Sequence, residues 1–139
     1  MRFLVPIDGS PNSERAVEHL TRLKDADSGD VHLLHVQPAA IAGDILSPDA
    51  VACIERVLEA EAVQATLRAD DLLTGAGIEH VTHVGTGEAG DAIASYARAH
   101  GCDQIIMGMR GLGTMDGLAL GSVATKVIHI VDIPVTLVK

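Results

Sequence analysis

Apolar residues recur along the chain with two alternating periods, one suited to strands and one to helices. Residues 2–7 form a short apolar run of strand character, and Asp8-Gly9-Ser10-Pro11 then offers Ser10 as a helix cap with Pro11 at the first helical position. Ala16, Val17, Leu20 and Leu23 follow at three- and four-residue spacing and predict a first helix, which stops in the polar turn Asp25 to Asp30. Val31 to Val36 predicts a second strand. Ser47-Pro48-Asp49 repeats the cap-plus-proline signal, and the stripe Val51, Ile54, Leu58, Ala62, Ala65, Ala69 and Leu72 predicts the longest helix, ending at Gly75 and Gly77. A third strand is expected over Ile78 to Val84, a third helix over Glu88 to His100 and a fourth strand over Gln104 to Met107. A glycine-rich loop, a helix from about Ser122 to Val131 and a last strand, Val135 to Val138, complete the pattern.

Strands that alternate with helices, with no hairpin signal between them, imply right-handed βαβ crossovers. The near-continuous apolar strands Phe3-Leu4-Val5 and Ile105-Ile106-Met107 agree, because a parallel sheet is covered on both faces. The expected fold class is therefore α/β: one doubly wound, mostly parallel five-stranded sheet of order 3-2-1-4-5, Rossmann-like, with helices on both faces. The 139 residues carry no linker or repeat, and one domain, 1–139, is expected.

Composition narrows the function classes. Hydrophobic residues make up 47% of the chain, enough to build a core, and the formal net charge of −9 disfavours a polyphosphate-binding surface. With one Phe, one Tyr and no Trp, the stacking platform of single-strand nucleic-acid binders is missing as well. The apolar start is too short for a secretory signal, and the stretch Leu118 to Val138 is interrupted by Lys126, His129 and Asp132, which argues against a bilayer span. Cys53 and Cys102 form no CxxC pair and read as structural thiols. A soluble, cytoplasmic protein is expected.

In an open parallel sheet the ligand crevice lies beyond the carboxyl ends of the strands where the strand order reverses. Here that rule selects the loop Asp8-Gly9-Ser10 and the loop from Gly108 to Ser122. The second contains Gly108, Gly111, Gly113, Gly117 and Gly121, five of the chain's 14 glycines. Glycine permits positive φ and brings backbone N–H groups close to an anion, while Gly121-Ser122 opens a helix whose free amides favour phosphate. The alternative is a flexible surface loop capped by Ser122. Asp8 faces the same crevice, either as a ligand-binding carboxylate or as the acid of its own turn. Arg110 and Lys126 are the nearby cations, each a candidate for phosphate or for a solvated charge.

Other motifs fit less well. GxxxxGK[ST] is absent. GxGxxG occurs as Gly85-Thr86-Gly87-Glu88-Ala89-Gly90, but Glu88 places a carboxylate where a pyrophosphate would lie, and Asp103 begins the next strand instead of ending it. His32 and His35, like His80 and His83, are three apart on predicted strands, so the members of each pair face opposite ways and neither pair makes a metal site.

Taken together, Pro6-Ile7-Asp8-Gly9-Ser10, His35-Val36, the spacing Gly108-x2-Gly111-x9-Gly121-Ser122 and Pro134-Val135 resemble the universal stress protein family over the whole chain, and the glycine spacing resembles its ATP-binding subgroup. The resemblance implies that Asp8 and the backbone of Val36 hold adenine, with Pro6 and Ile7 lining that pocket. It implies further that Gly108, Met109, Arg110 and Gly111 surround ribose and phosphates, that Gly113 belongs to the same binding loop, and that Gly121, Ser122 and Val123 take the distal phosphates with Mg²⁺ or Mn²⁺. Asp116 departs from the pattern by placing an acid where relatives often carry a basic residue, which brings ADP or AMP into consideration beside ATP. The family also implies a homodimer that pairs through Val135 to Val138, and a nucleotide-responsive regulator of stress or energy status. The alternatives are a slow ATPase or phosphotransferase organised by Asp8 or Asp116, and a dimeric interaction module that leaves the pocket empty. Residues 38–47 suit a lid or a partner surface.

Overall fold

A computed structural model describes residues 1–23, 30–39, 46–111 and 120–139. Along the chain it runs β1 (Phe3–Pro6), α1 (Pro11–Leu23), β2 (Val31–Gln37), α2 (Pro48–Gly75), β3 (His80–Thr86), α3 (Ala89–Ala99), β4 (Gln104–Gly108), α4 (Ser122–Ile130) and β5 (Val135–Val138). The strands form one sheet in the order β3-β2-β1-β4-β5, and every pairing is parallel. Part of the predicted polar turn, most of loop 38–47, Gly113 and Asp116 lie outside the described residues.

The caps explain where two helices begin. Ser10 Oγ accepts from the Ser13 amide at 3.2 Å at the start of α1, and Ser47 Oγ accepts from the Ala50 amide at 3.2 Å ahead of Pro48. Each face of the sheet then buries a separate apolar layer. Val5, Ile7, Val31, Leu33 and Ile106 pack against Val17 and Leu20 of α1 and Ala69 and Leu73 of α2. Leu4, Leu34, Ile105 and Met107 pack against Ile93 and Ala97 of α3 and Ala124 and Val127 of α4. This two-sided burial is the reason the central strands read as continuous apolar runs.

Most element ends fall within a residue of the sequence expectation, and β3 is displaced by two at each end. The third strand was expected from Ile78, but Ile78 is the buried end of the α2 turn: Gly77 has φ 70°, and the Ile78 amide donates to the Leu73 carbonyl at 2.9 Å. Pairing with β2 instead carries β3 on through Gly85 and Thr86, opposite Val36 and Gln37. The length of β3 follows its neighbour, which local periodicity does not encode.

Candidate functional site

β1 and β4 are neighbours whose chains leave in opposite directions, β1 toward α1 on one face and β4 toward α4 on the other. A cleft with about 670 Å³ of empty space opens at their carboxyl ends. Every described position assigned to the nucleotide borders it, whereas the candidate cation Lys126 does not. Pro6, Ile7 and Asp8 come from the end of β1 and Val36 from β2, while Gly108, Met109, Arg110 and Gly111 follow β4 and Gly121, Ser122 and Val123 open α4. Ser10 of the selected first loop also borders the cleft, as do Ser13, Leu34, Ala89, Ile93 and Met107, which were not anticipated there. Leu34 was within reach of sequence reasoning, since it lies two positions before Val36 on the same strand face.

Asp8 is half-buried, and its Oδ1 accepts from the Ser10 amide at 2.8 Å. It is thus the acid of its own turn and a wall of the cleft at once. The turn needs Gly9, which has φ 81° and lies so close to α2 that a Cβ would stand 3.3 Å from Ala65 Cα. Across the cleft, a Cβ on Gly111 would fall 2.3 Å from Asp8 Oδ2. A Cβ on Gly108 would fall 2.9 Å from the carbonyl carbon of Asn12, so this glycine lets the first turn of α1 sit on β4. Gly121 donates its amide to Met109 O at 2.7 Å, and a Cβ there would lie 3.3 Å from Arg110 Cα. None of Gly108, Gly111 and Gly121 has positive φ. Positive φ, expected for this loop, is not what its described glycines supply; close approach is the reason they are glycine.

Of the helices that start beside the cleft, α3 and α4 differ electrically. Glu88 caps α3, accepting from the amides of Gly90 at 3.0 Å and Asp91 at 2.8 Å, and its carboxyl is pulled down to about 2 by the Lys126 ammonium and then by those amides. The amino end of α3 already has its anion. Gly121, the cap of α4, supplies no side-chain acceptor, so the first amides of α4 retain their capacity for one. Lys126 donates to Glu88 Oε2 at 2.8 Å and Asp91 Oδ2 at 3.1 Å, which holds its charge on α3, and the same contacts keep its pKa high. Arg110 is exposed at the cleft and takes part in none of the ion pairs among the described residues.

The GxGxxG stretch serves the fold. Gly85 lies within β3, Gly87 turns with φ 117°, and Gly90 lets Lys126 cross α3, because a Cβ there would meet Lys126 Cδ at 2.9 Å.

The sequence model of the universal stress protein family matches residues 1–139. The chain belongs to the universal stress protein family. A universal stress protein of Thermus aquaticus is 34% identical over 139 residues, covering 99% of this chain and 97% of the relative. Among solved structures, the hypothetical protein MJ0577 superposes with a TM-score of 0.86 at 28% identity, over 99% of this chain and 94% of the other. A universal stress protein in complex with cAMP shares the fold with a TM-score of 0.76 at 23% identity, over 100% and 97% of the two chains. A family member from Arabidopsis thaliana with AMP bound does so at 0.74 and 19%, over 100% and 91%.

Proposed function

We propose that this universal stress protein binds an adenine nucleotide in the cleft between β1 and β4, and that occupancy of the cleft regulates its action on a partner. The observation that carries this reading is the amino end of α4, whose Gly121 cap brings no side-chain acceptor, facing the same cleft as Asp8. Those amides suit a phosphate, the Asp8 carboxylate suits the amino or hydroxyl donors of a nucleoside, and Ile7, Leu34, Val36 and Ile93 provide an apolar floor. The cAMP and AMP complexes of structurally similar proteins support the nucleotide class. ATP is the ligand we favour, with ADP or AMP as the alternatives. Among the described residues no three His, Cys, Asp or Glu side chains form a metal-binding group, so Mg²⁺ or Mn²⁺ would enter through the phosphates.

The reading extends to the assembly. β5 is an edge strand beside β4, and its four residues are half-buried in the single chain, which suits pairing with a second copy. Among the described residues no helix is long and apolar enough to cross a membrane, in keeping with a cytoplasmic regulator. Asp8 is the one acid among the described residues bordering the cleft, and Ser10 already engages it. That arrangement favours holding a ligand over activating water.

The test is to denature the purified protein with no nucleotide added and to identify what it releases by mass spectrometry. An adenine nucleotide near one per chain is the expected result. Release of nothing, followed by no thermal shift with millimolar MgATP, MnATP or AMP, overturns the proposal. Sedimentation at twice the 14.5 kDa chain mass tests the dimer.

A further inference from the structure

At the opposite end of the sheet from the cleft, side chains from three elements meet under the carboxyl-terminal half of α3. His32 of β2 and His83 of β3 point to this face, and Tyr96 and His100 come down from α3. The rings of His32 and His83 stack with centroids 6.1 Å apart, and His100 lies 5.8 Å from His32 and 5.7 Å from His83. Tyr96 stacks on His100 at 3.8 Å, and its hydroxyl is 2.6 Å from His32 Nδ1. His32 is buried, with 9% of its surface exposed. On this part of the sheet α3 is therefore fastened by imidazoles and one phenol where aliphatic side chains do the same work beside it.

Such a cluster invites a cation, because the C-terminal end of α3 is negative and neutral imidazoles are bases. Among the described residues no three donors converge as a metal-binding group. The cation left for it is the proton. The titratable and charged groups around the cluster are Arg2, Asp30, Glu79, His80, Cys102 and Asp103. Arg2 is paired with Asp30 at 2.9 Å, its guanidinium donates to the His100 carbonyl, and its amide donates to Asp103 at 2.7 Å. His80 faces away to Asp70 on α2 at 2.9 Å, and Cys102 is buried, with its thiol pushed up by that burial.

We propose that His32, His83 and His100, joined by Tyr96, form an acid-sensitive latch that holds α3 and β3 on the sheet when neutral and loosens them when protonated. Positive rings about 6 Å apart repel, most strongly between the buried His32 and the half-buried His100, while the exposed His83 adds a repulsion that water screens more. Burial, then Arg2, His100 and His83, keeps His32 below its ordinary value of 6.5. The folded chain thus binds fewer protons than the unfolded chain as pH falls through 6.5, and stability declines from there until His32 itself is protonated. The other end of the same helix contributes Ala89 and Ile93 to the cleft. Resting on the nucleotide reading of that cleft, the latch makes nucleotide affinity fall in mild acid.

Hydrogen exchange of the nucleotide-free protein separates the two ideas. After correction for intrinsic rates, the amides of α3 and β3 should exchange several-fold faster near pH 5.5 than near pH 7.5, up to about tenfold, while those of α1 on the other face do not. The conservative variant His32→Gln should lose most of that acid response and His100→Gln a part of it, and two variants guard against one failing to fold. His35, bonded to the Ile7 carbonyl, and His80, bonded to Asp70, stay in both variants and report any general effect of acid. Equal acceleration in α1 and α3, or variants that respond like the parent, overturns the latch. AMP titrated at both pH values then tests the coupling: weaker binding in acid, relieved in the variants, supports it, and equal binding refutes it. A cleft that binds no nucleotide at either pH refutes the nucleotide reading and leaves the latch to the exchange result alone.

Discussion

Asp8 and Gly111 face each other across the crevice so closely that a Cβ on Gly111 would stand 2.3 Å from Asp8 Oδ2. Asp8 cannot simply swing aside, because its other oxygen is held by the Ser10 amide at 2.8 Å. The two loops that the strand order brings together are thus matched to each other atom by atom. Gly111→Ala should therefore damage the cleft more than the fold. We expect AMP or ATP affinity to fall about tenfold or more, while the midpoint of thermal unfolding moves little, since Gly111 is exposed. Calorimetric titration beside a thermal melt checks both halves.

Gly108 is the contrasting case. Its missing side chain makes room for the backbone of Asn12 at 2.9 Å, a contact between β4 and the start of α1. Gly108→Ala must displace main chain, and overpacking of that kind costs about 1–3 kcal/mol. Denaturant unfolding should show the loss with or without nucleotide.

In the sequence Lys126 is a candidate either for phosphate or for a solvated charge, and the fold commits it to Glu88 and Asp91. Lys126→Met is expected to leave nucleotide affinity within roughly twofold of the parent, as suits an exposed charge engaged elsewhere. Arg110→Ala should instead weaken binding, and weaken ATP more than AMP, because ATP carries more negative charge. Parallel titrations of the two variants at one salt concentration decide it.

Removing divalent cations should separate the nucleotides further. Within the stretch Gly108 to Ser122 the only basic residue is Arg110, so the charge of a triphosphate needs a metal partner. Excess EDTA is expected to lower ATP affinity by about tenfold or more and to leave AMP nearly unchanged.

Acid should also act at the other end of α3. The Glu88 carboxyl, drawn down to about 2 by Lys126 and two amides, lies below its ordinary value of 4.5. A carboxylate depressed on folding stabilises above its unfolded value and loses that contribution as pH falls through the folded one. The amides of Gly90 and Asp91 should therefore lose exchange protection between pH 4.5 and about 2, and in Glu88→Gln that step should be reduced.

Much of this molecule was legible because its signals are local. Ser10-Pro11 and Ser47-Pro48 mark helix starts wherever they stand in space, and the strand and helix periods name the elements in order. From the alternation alone came the parallel sheet, and from the sheet came the crevice beyond β1 and β4, with Asp8 and the glycine loop on either side of it. What the tertiary structure alone decided are the meetings between distant segments. Gly108 answers to Asn12, Gly90 to Lys126, and the end of β3 to the length of β2, and none of these partners lies near in sequence. The histidines show the limit most clearly: spacing within each strand correctly sends His32 and His35, and His80 and His83, to opposite faces. Only the register of β2 against β3 and the seating of α3 bring His32, His83 and His100 together, because periodicity records the direction of a side chain and packing decides what it meets.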